Sequence, residues 1–196
     1  MVRGHPRHPE IPITLRQLLT HTSSLRDNWG ILEGTWVQGR DFPHSLAESM
    51  TRYFTPGGRY YSRGKNFYDW APGTKSRYSN VAFALVAFIA QNQAGRPFEQ
   101  LCREGVFQPL GMEGCSFRLS KVDHGQVAMP SVWRARAGQF RPLGHHGYLD
   151  FPSGTLRTSA PQLARFLLSF IGDGQVDQAR ILKAETVSLM RKSAFP

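Results

Sequence analysis

The chain of 196 residues is long enough for one domain with a sizeable hydrophobic core, and its 40% apolar and 19% charged residues exclude a disordered composition. Its formal net charge of +10 is carried mainly by arginine residues scattered along the whole chain. Such a charge favours anionic partners, but without a lysine/arginine block it indicates a basic surface rather than a nucleic-acid-binding segment.

The first part of the chain shows few periodic segments. Prolines in the first dozen residues predict an extended arm over residues 1–12. Thr14 is expected to cap a short helix that has leucines on one face. Residues 22–77 combine Gly, Pro, aromatic and arginine residues without sustained periodicity. We interpret them as a long loop region, which in a compact domain is usually functional or disordered.

Helices dominate the rest of the prediction. Residues 81–94 are apolar nearly all round, which predicts a buried helix, and their longest apolar run is too short to cross a bilayer. Further helices are expected over about 97–105, from a cap at Thr158 or Ser159 to Ile171, and over about 183–192.

Two other features of these segments are predicted. In the helix that ends at Ile171, Leu163 and Leu167 belong to an apolar stripe, with Ser169 facing outward. The best strand signals are Gly114–Leu119 and Gln126–Trp133.

The potential metal-binding or disulfide-forming residues are few. Cys102 and Cys115 lack metal-ligand spacing, and two buried thiols are favoured over a disulfide, which stays open. His5 and His8 are flanked by prolines, so no helical face would bring them together on a metal. The first ten residues lack the apolar core of a signal peptide, which leaves a cytoplasmic protein or a longer periplasmic or secreted parent as alternatives.

Tyr78 and Asn80 stand two residues apart at the start of the predicted buried helix. A rigid helix start would present both polar side chains, which suits proton transfer and hydrogen bonding to a substrate. The alternative is structural, because Tyr-x-Asn is a common tripeptide and an asparagine before a helix is often only a cap.

Four segments occur together in a recognisable order. They are ITLRQLLTHTSSL at 13–25, PGTKSRYSN at 72–80, PLGM at 109–112 and FPSGTLRTS at 151–159. In this combination the chain resembles the β-lactamase-related serine hydrolases, which include class C β-lactamases, D-alanyl-D-alanine carboxypeptidases and related esterases. The one departure in the first segment is Ser24, where the family usually has glycine at a turn.

The resemblance implies an α+β fold of the β-lactamase/D,D-peptidase (transpeptidase-like) type, mostly its helical part, with an incomplete sheet. It implies one domain over residues 1–196, truncated at both ends. The Tyr-x-Asn segment and its helices would occupy residues 78–118, and a helical C-terminal part residues 151–196. No metal or organic cofactor is expected.

The resemblance also assigns roles to the two motif residues. Tyr78 would act as the general base towards a serine nucleophile and then as the acid for the leaving group. A tyrosine is a neutral phenol at pH 7, and adjacent ammonium groups favour its ionised form. Asn80 would hold the lysine of a Ser-x-x-Lys motif and the amide carbonyl of the substrate.

The nucleophile is not found where the family places it, ahead of the first segment. The tetrapeptide Ser62-Arg-Gly-Lys65 matches Ser-x-x-Lys, but Gly64 opposes a helix there, so we interpret Ser62 and Lys65 as loop residues. His145-His146-Gly147 resembles the family's third motif but precedes the fourth segment instead of following it, so loop histidines are expected.

The predicted function is that of a serine hydrolase acting through an acyl-enzyme on a β-lactam, a D-alanyl peptide or an ester, inactive as this fragment. The alternative is a degenerate relative that binds cell-wall peptide or a protein partner. Basic and aromatic residues interleave over residues 59–70, yet no nucleic-acid motif accompanies them, so no nucleic acid is expected. The partner would be a small-molecule or peptide substrate, and the oligomeric state is open.

Overall fold

The computed structural model describes residues 4–192, which form two compact units. The first unit comprises residues 4–93 and 128–155, and the second comprises residues 94–127 and 156–192. The candidate site lies in the first unit. No helix in the described part of the chain is long and apolar enough to span a membrane.

The first unit has four α-helices and two short antiparallel ladders. The helices are α1 (Leu15–Leu19), α2 (Trp29–Leu32), α3 (Leu46–Phe54) and α4 (Asn80–Ala94), of which the last residue belongs to the second unit. Strand β1 (Val37–Gln38) pairs with β4 (His146–Gly147), and β2 (Ser131–Arg134) pairs with β3 (Gln139–Pro142). Single 3₁₀ turns follow α2 at Glu33–Thr35, join β2 to β3 at Ala135–Ala137, and lie at Phe151–Ser153.

The second unit is built from three α-helices and one hairpin. Helix α5 (Phe98–Cys102) continues as a π-helical turn over Arg103–Phe107, and α6 (Ala160–Ile171) and α7 (Ala184–Arg191) follow later in the chain. Between α6 and α7, strands β5 (Gln175–Val176) and β6 (Ala179–Arg180) pair in antiparallel fashion. Two 3₁₀ turns lie at Leu119–Lys121 and His124–Gln126. The architecture confirms the expected helix-rich α+β fold with little sheet.

The capping predictions for two helices are confirmed. The Thr14 hydroxyl accepts from the backbone N–H of Gln17 at 3.3 Å, and the Gln17 side chain accepts from the Thr14 N–H, which completes a capping box. Ser159 and Gln162 make the same reciprocal arrangement at the start of α6.

Helix α3 corrects the prediction of one long loop over residues 22–77. Ser45 and Glu48 form a capping box at its start, and Leu46, Met50 and Phe54 pack into the core on one face. The pattern occupies only nine residues between Pro- and Gly-containing turns, which is too short to stand out as a sustained period.

The predicted burial of two helices is only partly correct. The first two turns of α4 are buried, including Val81 and Leu85, but Phe83 is 38% exposed and Ala90 is also exposed. In α6 the apolar stripe lies open, with Ile171 74% exposed, whereas Ser169 is buried and donates to the carbonyl of Phe166 at 2.6 Å. The predicted outward orientation of Ser169 is therefore wrong, since its hydroxyl is satisfied within its own helix.

The strand and arm predictions also need correction. Gly114–Leu119 contains only an isolated bridge from Ser116 to Arg157, and the second predicted strand overlaps β2 over residues 131–133. Residues 4–12 form successive turns instead of an extended arm, closed by the bridge from His5 to His8, while residues 1–3 lie outside the described residues.

Candidate active site

Tyr78 and Asn80 face each other at the entrance of α4. The Tyr78 hydroxyl donates to Asn80 Oδ1 at 3.1 Å, and Tyr78 is 64% exposed. It opens into a cleft of about 540 Å³. The other residues lining this cleft are Arg26, Asp27, Trp29, Tyr68, Ser76 and Arg77.

Asp27 holds the start of α4 from a distant loop. Its Oδ2 accepts from the backbone N–H and the side-chain amide of Asn80 at 2.9 and 2.8 Å. Its Oδ1 accepts from the Ser79 hydroxyl at 2.9 Å and from the Val81 N–H at 3.2 Å. A carboxylate that is only 7% exposed thus satisfies otherwise unpaired N–H groups and meets the positive end of the helix dipole.

The loop that carries Asp27 is itself fixed by Tyr53 of α3. The buried Tyr53 hydroxyl donates to the Arg26 carbonyl at 2.8 Å and accepts from the Asn28 N–H at 2.7 Å. The side chain of buried Asn66 accepts from the Asn28 amide at 3.0 Å, and its backbone carbonyl accepts from the Arg26 N–H at 2.9 Å. Both residues beside Asp27 are therefore held in place.

His21 supports Tyr78 from the side. Its ring centroid lies 4.5 Å from that of Tyr78 and 5.0 Å from that of Phe83, and its Nδ1 accepts from the Ser79 N–H at 3.2 Å. Because Nδ1 is the acceptor, the neutral ring carries its hydrogen on Nε2. Burial lowers the pKa of His21, and the charge of Asp27 opposes that shift.

These contacts determine which end of the Asn80 amide faces the phenol. Because Asp27 can only accept when ionised, the NH₂ group of Asn80 points to Asp27 and the amide oxygen points to Tyr78. The oxygen has a second lone pair beyond the bond from Tyr78. Asn80 can therefore accept a further donor, such as an ammonium group, without losing its anchor.

A smaller pocket of about 140 Å³ has Asn80 in its wall. Trp29, Trp36 and Tyr148 contribute aromatic surface to it, and Asp150 contributes a buried carboxyl group. Burial raises the pKa of Asp150, and Asp27 acts in the same direction, while hydrogen bonds from its own backbone and from Ser153 oppose the shift.

The two segments that resemble further family motifs, residues 62–65 and 145–147, lie in a turn and at a short strand. Ser62 and Lys65 lie in a turn in which the Ser62 carbonyl accepts the N–H groups of Lys65 and Asn66, so the loop interpretation is confirmed. His146 and Gly147 form β4, a two-residue strand paired with Val37–Gln38, and not a loop as expected.

Hydrogen bonds allow Ser24 to stand where the family usually has glycine in the first segment. Its φ is 64°, in the left-handed region that glycine adopts most easily. Its hydroxyl donates to the Trp70 carbonyl at 2.6 Å, and its own carbonyl accepts from the Tyr68 N–H. These bonds hold a serine in a conformation that costs it about 1 kcal/mol.

The two cysteines and the pair His5 and His8 do not form metal sites among the described residues. Cys102 and Cys115 are free thiols, as favoured over a disulfide, but both are half-buried and not buried as expected. The His5 and His8 rings lie 5.1 Å apart, which corrects the expectation that they stay separate, but each Nε2 bonds to a backbone carbonyl of residues 68–69. No cluster of three His, Cys, Asp or Glu residues able to hold a metal exists among residues 4–192.

Sequence reasoning named Tyr78 and Asn80 but missed Asp27, His21 and Asp150 as parts of the site. His21 lies within the family-like segment at residues 13–25, so the sequence included the residue but did not predict its contacts with Tyr78 and Ser79. Asp27 is separated from Asn80 by 53 positions and carries no local signal of its partner.

The family model described as Beta-lactamase matches residues 4–196. The chain belongs to the β-lactamase family. Its resemblance to β-lactamase-related serine hydrolases is thereby confirmed, and the fold has the type found in penicillin-binding proteins.

Relatives of this β-lactamase-family chain include proteins named as D-amino-acid-specific peptidases and as β-lactamases. It is 33% identical over 113 residues to D-alanyl-D-alanine-carboxypeptidase/endopeptidase AmpH of Escherichia coli K12, a match that covers 57% of this chain and 26% of AmpH. It is 33% identical over 101 residues to a D-aminopeptidase of Gluconobacter oxydans, covering 49% of this chain and 16% of that protein.

A solved structure shares the fold over nearly the whole chain. The octameric penicillin-binding protein homologue from Pyrococcus abyssi aligns with a TM-score of 0.69 at 22% identity, covering 98% of this chain and 40% of that one. The β-lactamase-family chain thus spans well under half of these relatives. Their names support serine-hydrolase-type chemistry for the family.

Proposed function

We propose that this chain supplies the proton-transfer side of a serine hydrolase active site, with Tyr78 as general base and acid and Asn80 as its positioning partner. The observation that carries the proposal is the hydrogen-bonded series from Tyr78 through Asn80 to the buried carboxylate of Asp27. It fixes an exposed phenol on the rigid start of a helix, at the edge of a cleft large enough for a small substrate.

The proposed reaction is hydrolysis of an amide or ester through an acyl-enzyme. In its ionised form, Tyr78 takes the proton of a serine hydroxyl as that oxygen attacks the carbonyl carbon, and it gives this proton to the amine or alcohol as the bond to that leaving group breaks. Water then attacks the acyl-enzyme and gives a proton to Tyr78, which passes it to the serine oxygen as the acid is released. The free lone pair of Asn80 Oδ1 accepts a lysine ammonium group, which then lies beside the Tyr78 hydroxyl and promotes loss of its proton.

The serine and lysine of this scheme are not Ser62 and Lys65. Those residues lie in a turn, and nothing in their contacts directs them to Tyr78. We therefore propose that the 196-residue chain by itself does not turn over substrate, because a base accelerates nothing without its nucleophile. Among substrates, the relatives named D-aminopeptidase and carboxypeptidase favour a peptide or amino-acid amide.

The proposal is tested in a form of the protein in which this chain is joined to a Ser-x-x-Lys helix. Tyr78→Phe should lower acylation turnover of a chromogenic ester or cephalosporin by about 10²- to 10⁴-fold, because proton transfer by a positioned group contributes that much. Tyr61→Phe, a half-buried tyrosine outside the cleft, is the matched control and should leave turnover unchanged. Equal turnover in the wild type and Tyr78→Phe would show that Tyr78 is not the general base. It would favour the alternative that the chain is a non-catalytic relative that binds a partner.

The chain itself allows a second test with a fluorescent penicillin or a fluorophosphonate. No covalent labelling is expected. Labelling would show that a nucleophile is present, and Ser62→Ala would establish whether it is Ser62.

A further inference from the structure

The pocket beside Asn80 has the composition of a cation site. Trp29, Trp36 and Tyr148 present aromatic rings to a volume of about 140 Å³, and the rings of Trp36 and Tyr148 meet edge to face with centroids 5.3 Å apart. Aromatic faces attract cations through their quadrupole, and tryptophan does so most strongly. The volume admits a small head group and not a whole drug-sized ligand.

The carboxyl group of Asp150 lacks a cationic partner. Asp150 is 8% exposed, and its side chain accepts from the Ser153 hydroxyl at 3.2 Å. Within residues 4–192, none of the Lys, Arg or His side chains forms an ion pair with it. Burial of a carboxylate costs free energy unless a counter-charge compensates it. A ligand cation in this pocket would therefore be attracted to Asp150 more strongly than to a carboxylate exposed to water.

The charges around the two cavities decide where a cation would bind. The larger cleft is lined by two arginines, Arg26 and Arg77, and one carboxylate, Asp27, so its lining carries a net positive charge. The smaller pocket has Asp150 as its charged lining residue, so its lining is negative and favours a substrate cation over the larger cleft. An anion in the smaller pocket would meet the carboxylate of Asp150. A neutral apolar group would leave the charge of Asp150 without a counter-charge.

We propose that this pocket binds a primary ammonium group of the substrate, with Asp150 as its counter-ion and Trp29, Trp36 and Tyr148 as its walls. The substrate class is an amino-acid amide or peptide with a free amine. Catalytic use of the pocket rests on the proposed function, since Asn80 lines it while its partner Tyr78 lines the adjoining cleft. Binding of the ammonium group does not depend on a nucleophile.

The test is a ¹H–¹⁵N NMR titration of the 196-residue chain with D-alaninamide and with N-acetyl-D-alaninamide. The indole N–H signals of Trp29 and Trp36 should shift on addition of D-alaninamide, while those of Trp70 and Trp133, which do not line the pocket, serve as internal controls. The acetylated compound keeps the amide but lacks the charge, and should bind at least about tenfold more weakly.

Variants assign the effect to the pocket. Asp150→Asn should weaken D-alaninamide binding at least about tenfold, and Asp69→Asn, at an exposed aspartate outside the pocket, should leave it unchanged. If Asp150→Asn fails to fold, Trp36→Leu, at a half-exposed site, should still weaken binding through loss of the aromatic wall.

The outcomes separate this proposal from the proposed function. Absence of D-alaninamide binding, equal binding of both compounds, or unchanged binding in Asp150→Asn would overturn the ammonium pocket, whatever Tyr78→Phe does to turnover. Ammonium binding together with unchanged turnover in Tyr78→Phe would leave the pocket standing and remove only the catalytic proposal.

Discussion

Asp27 binds Asn80 twice through one carboxylate oxygen, which accepts from the backbone N–H and from the side-chain amide of the same residue. The double contact fixes both where α4 begins and which way the Asn80 amide faces. A backbone cap alone would leave the amide free to rotate. The orientation of Asn80 towards Tyr78 is therefore a property of a loop 53 residues away.

Removal of this carboxylate should be costly. Asp27→Ala leaves two backbone N–H groups, one hydroxyl and one amide without their acceptor at a buried helix start. We expect the free energy of unfolding to fall by about 2–4 kcal/mol, measured by urea denaturation. Asp69→Ala, at an exposed position, should change it by less than about 0.5 kcal/mol. Similar values for the two variants would show that Asp27 does not hold α4.

Stability should depend on pH through His21. Burial lowers the pKa of His21 and, with the charge of His8, that of His5, so the unfolded chain binds protons at these positions more readily than the folded chain. The free energy of unfolding therefore decreases as the pH falls through the ordinary histidine pKa of 6.5. Protonation at Nδ1 of His21 also breaks its bond from Ser79.

Urea denaturation at pH 7.5 and pH 5.5 checks this dependence. His21→Asn should lose less stability between the two pH values, because asparagine tolerates the positive φ of 56° and does not titrate. The control His124→Asn, at an exposed turn, should behave like the wild type. An unchanged pH dependence in His21→Asn would exclude His21 as a source.

Gly147 should tolerate no side chain. A Cβ at this position would lie closer than 3.0 Å to backbone atoms of Arg40, Asp41 and Phe42, where the chain passes beside β4. We expect Gly147→Ala to lower the free energy of unfolding by about 1–3 kcal/mol, as overpacking does. Gly34→Ala, which has open space around its Cβ, should have little effect in the same thermal or urea experiment.

The two thiols should differ in reactivity. Burial, with a smaller effect from Glu99, raises the pKa of the Cys102 thiol to about 11, so at pH 8 only about one molecule in 10³ carries the thiolate there. Iodoacetamide at pH 8 should modify Cys115 first, as followed by peptide mass spectrometry, and Cys115→Ser should react slowly. Faster modification of Cys102 would contradict its burial.

The sequence predicted helices better than it predicted their surroundings. The caps at Thr14 and Ser159 were visible because capping boxes and periodic apolar residues lie within a few positions of each other. The contact of Asp27 with Asn80 could not be predicted from the sequence, because it depends on how Tyr53 and Asn66 hold a distant loop. The exposed stripe of α6 shows the same limit, since periodicity predicts a face but not what covers it.

The depth of Asp27 has a consequence for how the protein responds to salt. Dissolved ions screen exposed charges such as those of Arg26 and Arg77, but they reach a carboxylate that is 7% exposed far less. The geometry of Tyr78 and Asn80 should therefore persist from low to high ionic strength. Any change in substrate affinity with salt would then report the approach of a charged substrate to the arginine-lined cleft, and not a distortion of the proposed catalytic pair Tyr78 and Asn80.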